Sequence, residues 1–326
     1  MRVIAYDVRD DEIVYLNKVA KELNIEIKIC QYTLTTENVE EINGFDAISM
    51  ITKSRVTKEI VDYMVEHGVK YIGTRSIGTD HIDIPYAKSK GIKICNVSYS
   101  RNGVAEFTVM FMLDAVKKHK EIILKQTTNN YALNDLIGRN LSDLTIGVIG
   151  TGLIGARVIE LLSGFKTRIL AYSRTEKDFV KQYATYTDLD TLLKESDIIA
   201  LTTASNSETY HIVNRDSIAK MKDGVIIINT ARGALIDTDA LIEGLDSGKI
   251  AMCGLDVLEN EESFTHKNFE GKDFPNPKLC ELIHRPNVIY TQHMAFFTED
   301  AVNDMTGLAM RGIVELDTVG QTKYML

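Results

Sequence analysis

The most constraining feature of this sequence is a glycine-rich turn between an apolar strand and a helical segment. The apolar run LTIGVI leads directly into the GxGxxG pattern GTGLIG at positions 150–155. The first glycine permits a tight turn, the second lets the backbone approach a pyrophosphate, and the third lets helix and strand pack closely. The free N–H groups at the start of the helix then face the phosphate charge. The pattern predicts a dinucleotide site with contacts from Gly150, Gly152, Leu153, Ile154 and Gly155.

Short apolar runs alternate with helix-compatible segments along nearly the whole chain. A first series of strands is predicted at 2–5, 25–30, 47–50, 71–73 and 92–95. A second series is predicted at 145–149, 169–172, 198–201, 225–228, 251–255 and 288–290. Because apolar strands separated by helices indicate a parallel sheet covered on both faces, we predict two α/β units, the second doubly wound. An isolated GxGxxG string is often only a tight βα turn, but the strands in register with it favour the dinucleotide site.

The first unit is predicted to be discontinuous in sequence. From about residue 298 the chain returns to a helical pattern, with Glu299 and Asp300 near its start, where acidic side chains favour the helix dipole. This tail is too short to fold alone, so we expect it to pack on the N-terminal unit and to leave a cleft between the two units. The predicted domains are residues 1–100 with 297–326, and residues 101–296.

Composition and charge exclude several classes of partner. The formal net charge of −9 disfavours nucleic acid, because such binding depends on clustered Lys and Arg. The four cysteines lack the spacing of metal ligands, and no metal site is predicted. The chain begins MRVIAYDV, which is a strand pattern rather than a signal peptide, and no apolar run reaches the roughly 20 residues that span a bilayer. A cytoplasmic protein without membrane contact is therefore expected.

The end of the second strand in the second series predicts the choice of cofactor. NAD-specific versions of this fold have an acidic residue there, which bonds the ribose hydroxyls. This chain has Ser173, Arg174 and Thr175 instead, and a guanidinium can pair with a 2′-phosphate. We therefore predict that NADP is preferred and that NAD is also accepted. The alternative is a solvated Arg174 and dual specificity, since Glu176 is close enough in sequence to neutralise part of its charge.

Two residues near the carboxyl ends of strands have the chemistry that reduction of a keto acid would need. Such a reaction requires a cation that clamps the carboxylate and polarises the carbonyl, and an acid that protonates the forming alkoxide. Arg232 follows the fourth strand of the second series, although an arginine there could also cap a helix or bridge domains. Among seven histidines, His293 alone follows the last strand within three residues. These two side chains are the predicted catalytic pair.

An imidazole that is to hold a proton at neutral pH needs a carboxylate neighbour. Glu261, five residues past Asp256, can supply that carboxylate. Asp256 itself is predicted to bond the cofactor or Arg232. Spacing alone favours a solvated loop for any acid in the run from Glu259 to Glu262, so the sequence leaves this assignment open.

Six tracts cover nearly the whole chain: RSIGTDHID (75–83), NVSYSRNGVAEFT (96–108), GVIGTGLIG (147–155), INTARGALID (228–237), GLDVLENEE (254–262) and QHMAFFT (292–298). Together they resemble the D-isomer-specific 2-hydroxyacid dehydrogenases of the D-lactate dehydrogenase type. AYSR and LDVLENEE resemble most the branch associated with glycopeptide-antibiotic resistance, which the family pattern links with NADPH. The resemblance implies a Rossmann dinucleotide-binding domain inserted in a smaller flavodoxin-like substrate domain.

The resemblance also implies roles for individual residues. It implies that Arg232 clamps the substrate, that His293 is the acid–base group and that Glu261 raises the pKa of this histidine. Residues implied to contact the substrate besides Arg232 are Ile77, Gly78, Tyr99 and Phe296. Further cofactor contacts are implied at Thr203, Thr209, Thr230 and Ala231. The chain departs from the pattern at 201–204, where it has LTTA in place of the common LHxP.

The implied reaction is reduction of a small 2-keto acid to the D-2-hydroxy acid, first of all pyruvate to D-lactate. The alternative is a dehydrogenase of the D-2-hydroxyisocaproate or phenyllactate type with a larger pocket. The resemblance implies a homodimer built on the helix that starts near Asn102, in agreement with the apolar excess over 104–118. The same fold also serves as a nucleotide-sensing corepressor, but the presence of all three catalytic residues favours an enzyme.

Overall fold

The computed structural model describes residues 1–326 and contains twelve strands and twelve α-helices, which alternate along most of the chain. The strands are β1 Arg2–Ala5, β2 Glu26–Ile29, β3 Ala47–Met50, β4 Tyr71–Thr74, β5 Lys93–Cys95, β6 Thr145–Ile149, β7 Arg168–Tyr172, β8 Thr185–Tyr186, β9 Ile198–Leu201, β10 Val225–Asn229, β11 Ile250–Leu255 and β12 Val288–Tyr290. The helices are α1 Asp10–Leu23, α2 Lys58–Glu66, α3 Ile84–Ser89, α4 Asn102–Val116, α5 His119–Thr127, α6 Leu153–Ser163, α7 Asp178–Lys181, α8 Leu189–Glu195, α9 Arg215–Lys220, α10 Thr238–Asp246, α11 Pro277–His284 and α12 Glu299–Thr318.

The chain forms two compact units, one of Met1–Ser100 with Phe297–Leu326 and one of Arg101–Phe296. The sheet of the first unit has the order β2-β1-β3-β4-β5, and that of the second has the order β12-β11-β10-β9-β6-β7-β8. Every strand pairing in both sheets is parallel. The predicted fold class is confirmed: the fold is α/β, with a Rossmann-like unit inserted in a smaller α/β unit.

All eleven predicted strands are present, and their ends lie within one residue of the predicted bounds. Continuous apolar runs predicted these strands, because central parallel strands are buried on both faces and show no alternation of apolar and polar residues. In β10, for example, all five residues are buried. The sequence did not predict β8, since two residues are too few to form a pattern. In the first unit, α12 packs against α1 and β4. In the second, α4 packs against α6, β10 and β11.

The cysteines and the distribution of metal-ligating side chains limit the chemistry that the fold offers. Cys30, Cys95 and Cys253 are buried, and burial raises the pKa of Cys95 and of Cys253 to about 12. Neither of these two thiols is a thiolate nucleophile at neutral pH. No group of three or more His, Cys, Asp or Glu side chains is arranged to hold a metal ion. No helix combines the length and the apolar character that crossing a membrane requires.

Candidate active site

The three predicted catalytic residues follow three neighbouring strands of the second sheet. Arg232 comes after β10, Glu261 after β11 and His293 after β12, and these strands are adjacent in the order β12-β11-β10. Parallel strands present their carboxyl ends at one edge of the sheet, which is where ligands bind in open α/β folds. The topology therefore brings side chains from distant parts of the sequence to the same edge.

A short hydrogen bond joins two of these side chains. Nδ1 of His293 lies 2.6 Å from Oε1 of Glu261. The second carboxylate oxygen of Glu261 accepts the backbone N–H of Leu258 at 2.7 Å. Because both oxygens have partners, the carboxylate is fixed in orientation. The imidazole is held through Nδ1, and Nε2 lies on the side of the ring that faces away from Glu261.

The backbone that carries His293 is held in an uncommon conformation. Its φ is 55°, in the left-handed region, and its N–H lies 2.7 Å from the carbonyl oxygen of Asp256 and 3.0 Å from that of Thr291. The side chain of Asp256 is almost fully buried and accepts the Thr291 hydroxyl at 2.6 Å and the N–H groups of Met294 and Ala295 at 2.8 and 2.9 Å. The prediction that Asp256 bonds the cofactor or Arg232 did not anticipate this use of its carboxylate, which shapes the loop of the histidine.

Opposing effects act on the proton affinity of His293. Burial alone would lower the pKa of the imidazole, since it disfavours the charged form. The hydrogen bond and charge of Glu261, together with the charge of Asp256, outweigh burial and raise the pKa above its ordinary value. The positive charge of Arg232 acts in the opposite direction and is the smallest of these influences. The site therefore favours a protonated imidazole close to a guanidinium.

A tight turn after β10 presents Arg232. The side chain of Asn229, the last residue of the strand, donates to the carbonyl oxygen of Arg232 at 2.9 Å and accepts the N–H of Ala231 at 3.0 Å. The Arg232 guanidinium donates to the carbonyl oxygen of Ala231 at 2.8 Å. Asn229 is fully buried, so the turn is anchored to the sheet.

The glycine turn between β6 and α6 has the geometry that a dinucleotide needs. Gly150 has a φ of 98°, and a Cβ there would lie 2.7 Å from the backbone nitrogen of Thr203. A Cβ at Gly155 would overlap the carbonyl oxygen of Gly150. At Gly152 a Cβ would meet nothing within 4 Å, which leaves open space above the backbone at the start of α6. The turn thus fits a pyrophosphate at the helix N-terminus, with the N–H groups of Leu153 and its successor available.

The segment 173–175 lies directly after β7, as predicted, and contains no carboxylate. Nη1 of Arg174 lies 3.1 Å from a carboxylate oxygen of Glu208, and both side chains are largely exposed. Glu176, which the sequence suggested as the neutralising acid, pairs with Lys181 at 2.9 Å instead. The acid opposite Arg174 comes from the connection after β9, a contact that sequence proximity could not reveal.

Two threonines predicted to contact the cofactor have partners within the chain. The Thr209 hydroxyl donates to the carbonyl oxygen of Ala204 at 2.7 Å and closes a turn. The Thr230 hydroxyl lies 2.7 Å from that of Thr108 on α4. Both hydroxyls therefore contribute to local structure, and their contacts with a cofactor stay predictions.

The predicted substrate loop lies in the first unit, directly after β4. Arg75 is fully buried and its Nε donates to the carboxylate of Glu12 at 2.9 Å, which anchors the start of the loop. The hydroxyl of Ser76 donates to the carbonyl oxygen of Gly78 at 2.7 Å, and Ile77 is exposed between them. The carbonyl oxygen of Ile77 accepts the side-chain amide of Asn96 at 3.1 Å, so the backbone of Ile77 and Gly78 is held by the side chains of Asn96 and Ser76.

Two rings, those of Phe296 and His266, lie near His293 in the second unit. The ring of Phe296 stands edge-on to the imidazole at a centroid distance of 6.5 Å. His266, on the connection between β11 and α11, has its ring 6.4 Å from the imidazole and its Nε2 3.2 Å from the His293 carbonyl oxygen. Its spacing from the strands carried no signal of this proximity. Tyr99, the other predicted pocket residue, follows β5 in the first unit.

Comparison with known proteins gives matches over both units. Residues 109–295 match the family model described as D-isomer specific 2-hydroxyacid dehydrogenase, NAD binding domain. An aromatic 2-oxoacid reductase from Clostridium sporogenes is 39% identical over 325 residues, which are 99% of this chain and 98% of that protein. A D-specific alpha-keto acid dehydrogenase from Enterococcus faecium is 40% identical over 290 residues, which are 87% of this chain and 89% of that protein.

The fold is also similar to that of solved structures. A D-lactate dehydrogenase from Aquifex aeolicus, complexed with NAD and lactic acid, is 36% identical with a TM-score of 0.89, and the match covers 98% of this chain and 96% of that one. The range matched by the family model contains the glycine turn and the three side chains that follow β10, β11 and β12.

Proposed function

This chain belongs to the D-isomer specific 2-hydroxyacid dehydrogenase family, and from that premise we propose that it reduces pyruvate to D-lactate with NADPH as the preferred cofactor. As a member of the family it is an oxidoreductase that uses a nicotinamide cofactor and acts on small 2-keto and 2-hydroxy acids. The observation that carries the proposed reduction of a keto acid is the 2.6 Å hydrogen bond between His293 and Glu261, in the unit that contains the glycine turn.

His293 is the proposed proton donor. Glu261 holds Nδ1, which leaves Nε2 to donate a proton to the carbonyl oxygen of the keto acid. The raised pKa of His293 keeps the imidazole protonated to higher pH than usual, and reduction uses this protonated form. In the direction of reduction the rate falls as the pH rises through the raised pKa. In the direction of oxidation the neutral imidazole accepts the proton, and the rate rises through the same pKa.

Arg232 is the proposed substrate clamp. Its planar guanidinium matches a carboxylate with two parallel N–H donors and can also polarise the adjacent keto oxygen. That its charge lowers the pKa of His293 supports a location close to the proton donor. Backbone N–H groups of Ile77 and Gly78 and the rings of Tyr99 and Phe296 are the other proposed substrate contacts.

The glycine turn is the proposed pyrophosphate site, and residues 173–175 are the proposed site of the adenosine ribose. When bound, the nicotinamide cofactor supplies the hydride that reduces the keto carbon. Open space above Gly152 supports the first assignment, and the absence of a carboxylate at 173–175 supports a 2′-phosphate on the ribose. Thr203, Thr209, Thr230 and Ala231 remain proposed cofactor contacts.

A comparison of substrates tests the proposed reaction. With NADPH, kcat/KM is expected to be highest for pyruvate among pyruvate, glyoxylate, 2-ketoisocaproate and phenylpyruvate, and chiral chromatography is expected to identify the product as D-lactate. A higher kcat/KM for phenylpyruvate or 2-ketoisocaproate would favour the larger-pocket alternative, which the 39% identity to an aromatic 2-oxoacid reductase supports. Turnover of none of the four acids would contradict the proposed function.

Replacing Arg174 with glutamine tests the cofactor preference. The ratio of kcat/KM for NADPH to that for NADH is expected to fall about tenfold, because a charge-assisted contact to the 2′-phosphate is lost while NADH binding is unaffected. We expect the lower end of the range for such contacts, since the Arg174 side chain is 76% exposed and must leave Glu208. The matched control is Glu176→Gln, which removes an acid that pairs with Lys181. An unchanged ratio in Arg174→Gln would show that this arginine does not read the phosphate.

A homodimer is the proposed assembly. Beyond α4 and α5 the chain exposes Tyr131, Leu133 and Ile137, whose relative exposures are 73%, 83% and 87%. Met110 on α4 is also exposed among otherwise buried apolar neighbours. Large apolar side chains exposed in this way are typical of interfaces between subunits, and a second copy of the chain is the proposed partner.

A further inference from the structure

A second histidine–glutamate pair lies beside the candidate active site and has no part in the proposed chemistry. Nε2 of His211 is 2.6 Å from Oε1 of Glu259, and both side chains are mostly buried. The other oxygen of Glu259 accepts the N–H of Thr238 at 3.1 Å and its hydroxyl at 2.7 Å. Three donors thus converge on one carboxylate, which is more than a solvated surface acid would have.

His211 is tied to the segment that follows Arg232. Its N–H donates to the carbonyl oxygen of Ala234 at 2.9 Å, and Val213 pairs in parallel with Ile236. The ring of His211 stacks on its neighbour Tyr210 with centroids 3.9 Å apart, which limits its rotation. His211 is therefore linked by backbone contacts to the segment that carries Arg232.

Glu259 is tied to the segment that contains Glu261. A Cβ at Gly233, next to Arg232, would overlap the backbone of Leu258 and Glu259, so the two segments touch through their main chains. The N–H of Leu258 in turn holds Glu261 at 2.7 Å. Glu259 and Glu261 thus lie on one short segment, with one carboxylate bonded to His211 and the other bonded to His293.

We propose that Glu259, bonded to His211 and Thr238, is a positioning residue that holds the segment bearing Glu261 against the segment bearing Arg232. The role is indirect: Glu259 fixes the place from which Glu261 reaches His293. The inference rests on the proposed function, because it takes the roles of Glu261 and His293 from it. We call the bonds of Glu259 to His211 and Thr238 the brace. Loss of the brace lets the Glu261 carboxylate move away from Nδ1 of His293, so that Glu261 stabilises the protonated imidazole less.

The effect of losing the brace can be measured as a change in the proton affinity of His293. The charged and titratable groups facing the imidazole are Glu261, Asp256, Arg232 and the ring of His266. Asp256 is held independently by the loop of the histidine itself, so loss of the brace changes the contribution of Glu261 first. The pKa of His293 is then expected to fall, since burial continues to lower it while its main opposing partner is less well placed.

The test is the titration of the His293 imidazole, followed by NMR in the cofactor-free protein and assigned by its absence in His293→Gln. In Glu259→Gln the proton affinity of His293 is expected to fall roughly two- to fivefold, in the same direction as in Glu261→Gln but by less. The alkaline limb of kcat/KM for keto acid reduction should move to lower pH by the same amount, with KM for NADPH unchanged. Glu270→Gln, which neutralises an exposed acid on the connection after β11, serves as the control and should titrate as the wild type does.

Variants of the histidine keep the test valid if Glu259→Gln folds poorly. His211→Ala removes the donor and should lower the proton affinity of His293 as Glu259→Gln does, whereas His211→Gln retains an N–H donor and should restore most of it. A wild-type titration in both Glu259→Gln and His211→Ala, whether or not the melting temperature falls, would overturn the inference. If the wild-type chain reduced no keto acid, the proposed function would fail on that result alone. If the wild-type chain did reduce a keto acid, and only Glu261→Gln changed the titration of His293, the role of Glu259 alone would be refuted.

Discussion

Replacement of Arg232 by glutamine is expected to lower kcat/KM for keto acid reduction by about 100- to 1,000-fold, or about 3–4 kcal/mol, the usual effect of losing a preorganised charge in a site of this kind. The guanidinium is proposed to bind the substrate carboxylate before the reaction and to stabilise the developing alkoxide during it. We therefore expect KM for the keto acid to rise and kcat to fall together. Steady-state kinetics with pyruvate and NADPH measure both.

The matched control for this arginine is Arg168→Gln. Arg168 lies at the start of β7, is largely exposed and pairs with Glu195 at 2.6 Å, so its loss should leave both constants near those of the wild type. A loss of less than tenfold in Arg232→Gln would exclude it as the clamp. Unchanged binding of NADPH in this variant, measured by fluorescence, would show that the defect concerns the substrate rather than the cofactor.

Replacement of His293 by glutamine is expected to lower kcat by about 100- to 10,000-fold, which is the range for removal of a general acid. The loss follows because glutamine can donate a hydrogen bond to the keto oxygen but cannot transfer a proton to it. The remaining activity should no longer depend on pH in the range where the wild-type rate falls through the raised pKa of the imidazole. Measurement of kcat from about pH 5 to about pH 10 would record this, since the interval extends above the ordinary range of histidine titration.

A surface pair provides the control for this variant. His119 at the start of α5 is 2.9 Å from Asp114, and its side chain is mostly exposed. His119→Gln should leave kcat and its pH dependence unchanged, so any effect of His293→Gln comes from its place in the site. Retention of the wild-type pH dependence in His293→Gln would assign the titrating group to another residue.

Much of the fold could be predicted because its signals are local. A buried parallel strand appears as a short apolar run whatever its neighbours are, and the glycine turn follows β6 without a gap. The short strand β8 was missed because its two residues form no pattern. The positions of Arg232 and His293 just past strand ends were also local signals, since the carboxyl edge of a parallel sheet is where ligands bind.

The sequence by itself therefore determined the class of fold, the glycine turn after β6 and the positions of Arg232 and His293 just past strand ends. The spacing of the acids in the run after β11 left their partners open, and only the tertiary structure shows Glu261 bonded to His293 and Glu259 bonded to His211. The physical reason is that these bonds join residues 32 and 48 positions apart in the chain. Their partners depend on the path of the backbone, through the left-handed conformation of His293 and the close approach of the chain to Gly233, and no local pattern of residues encodes that path.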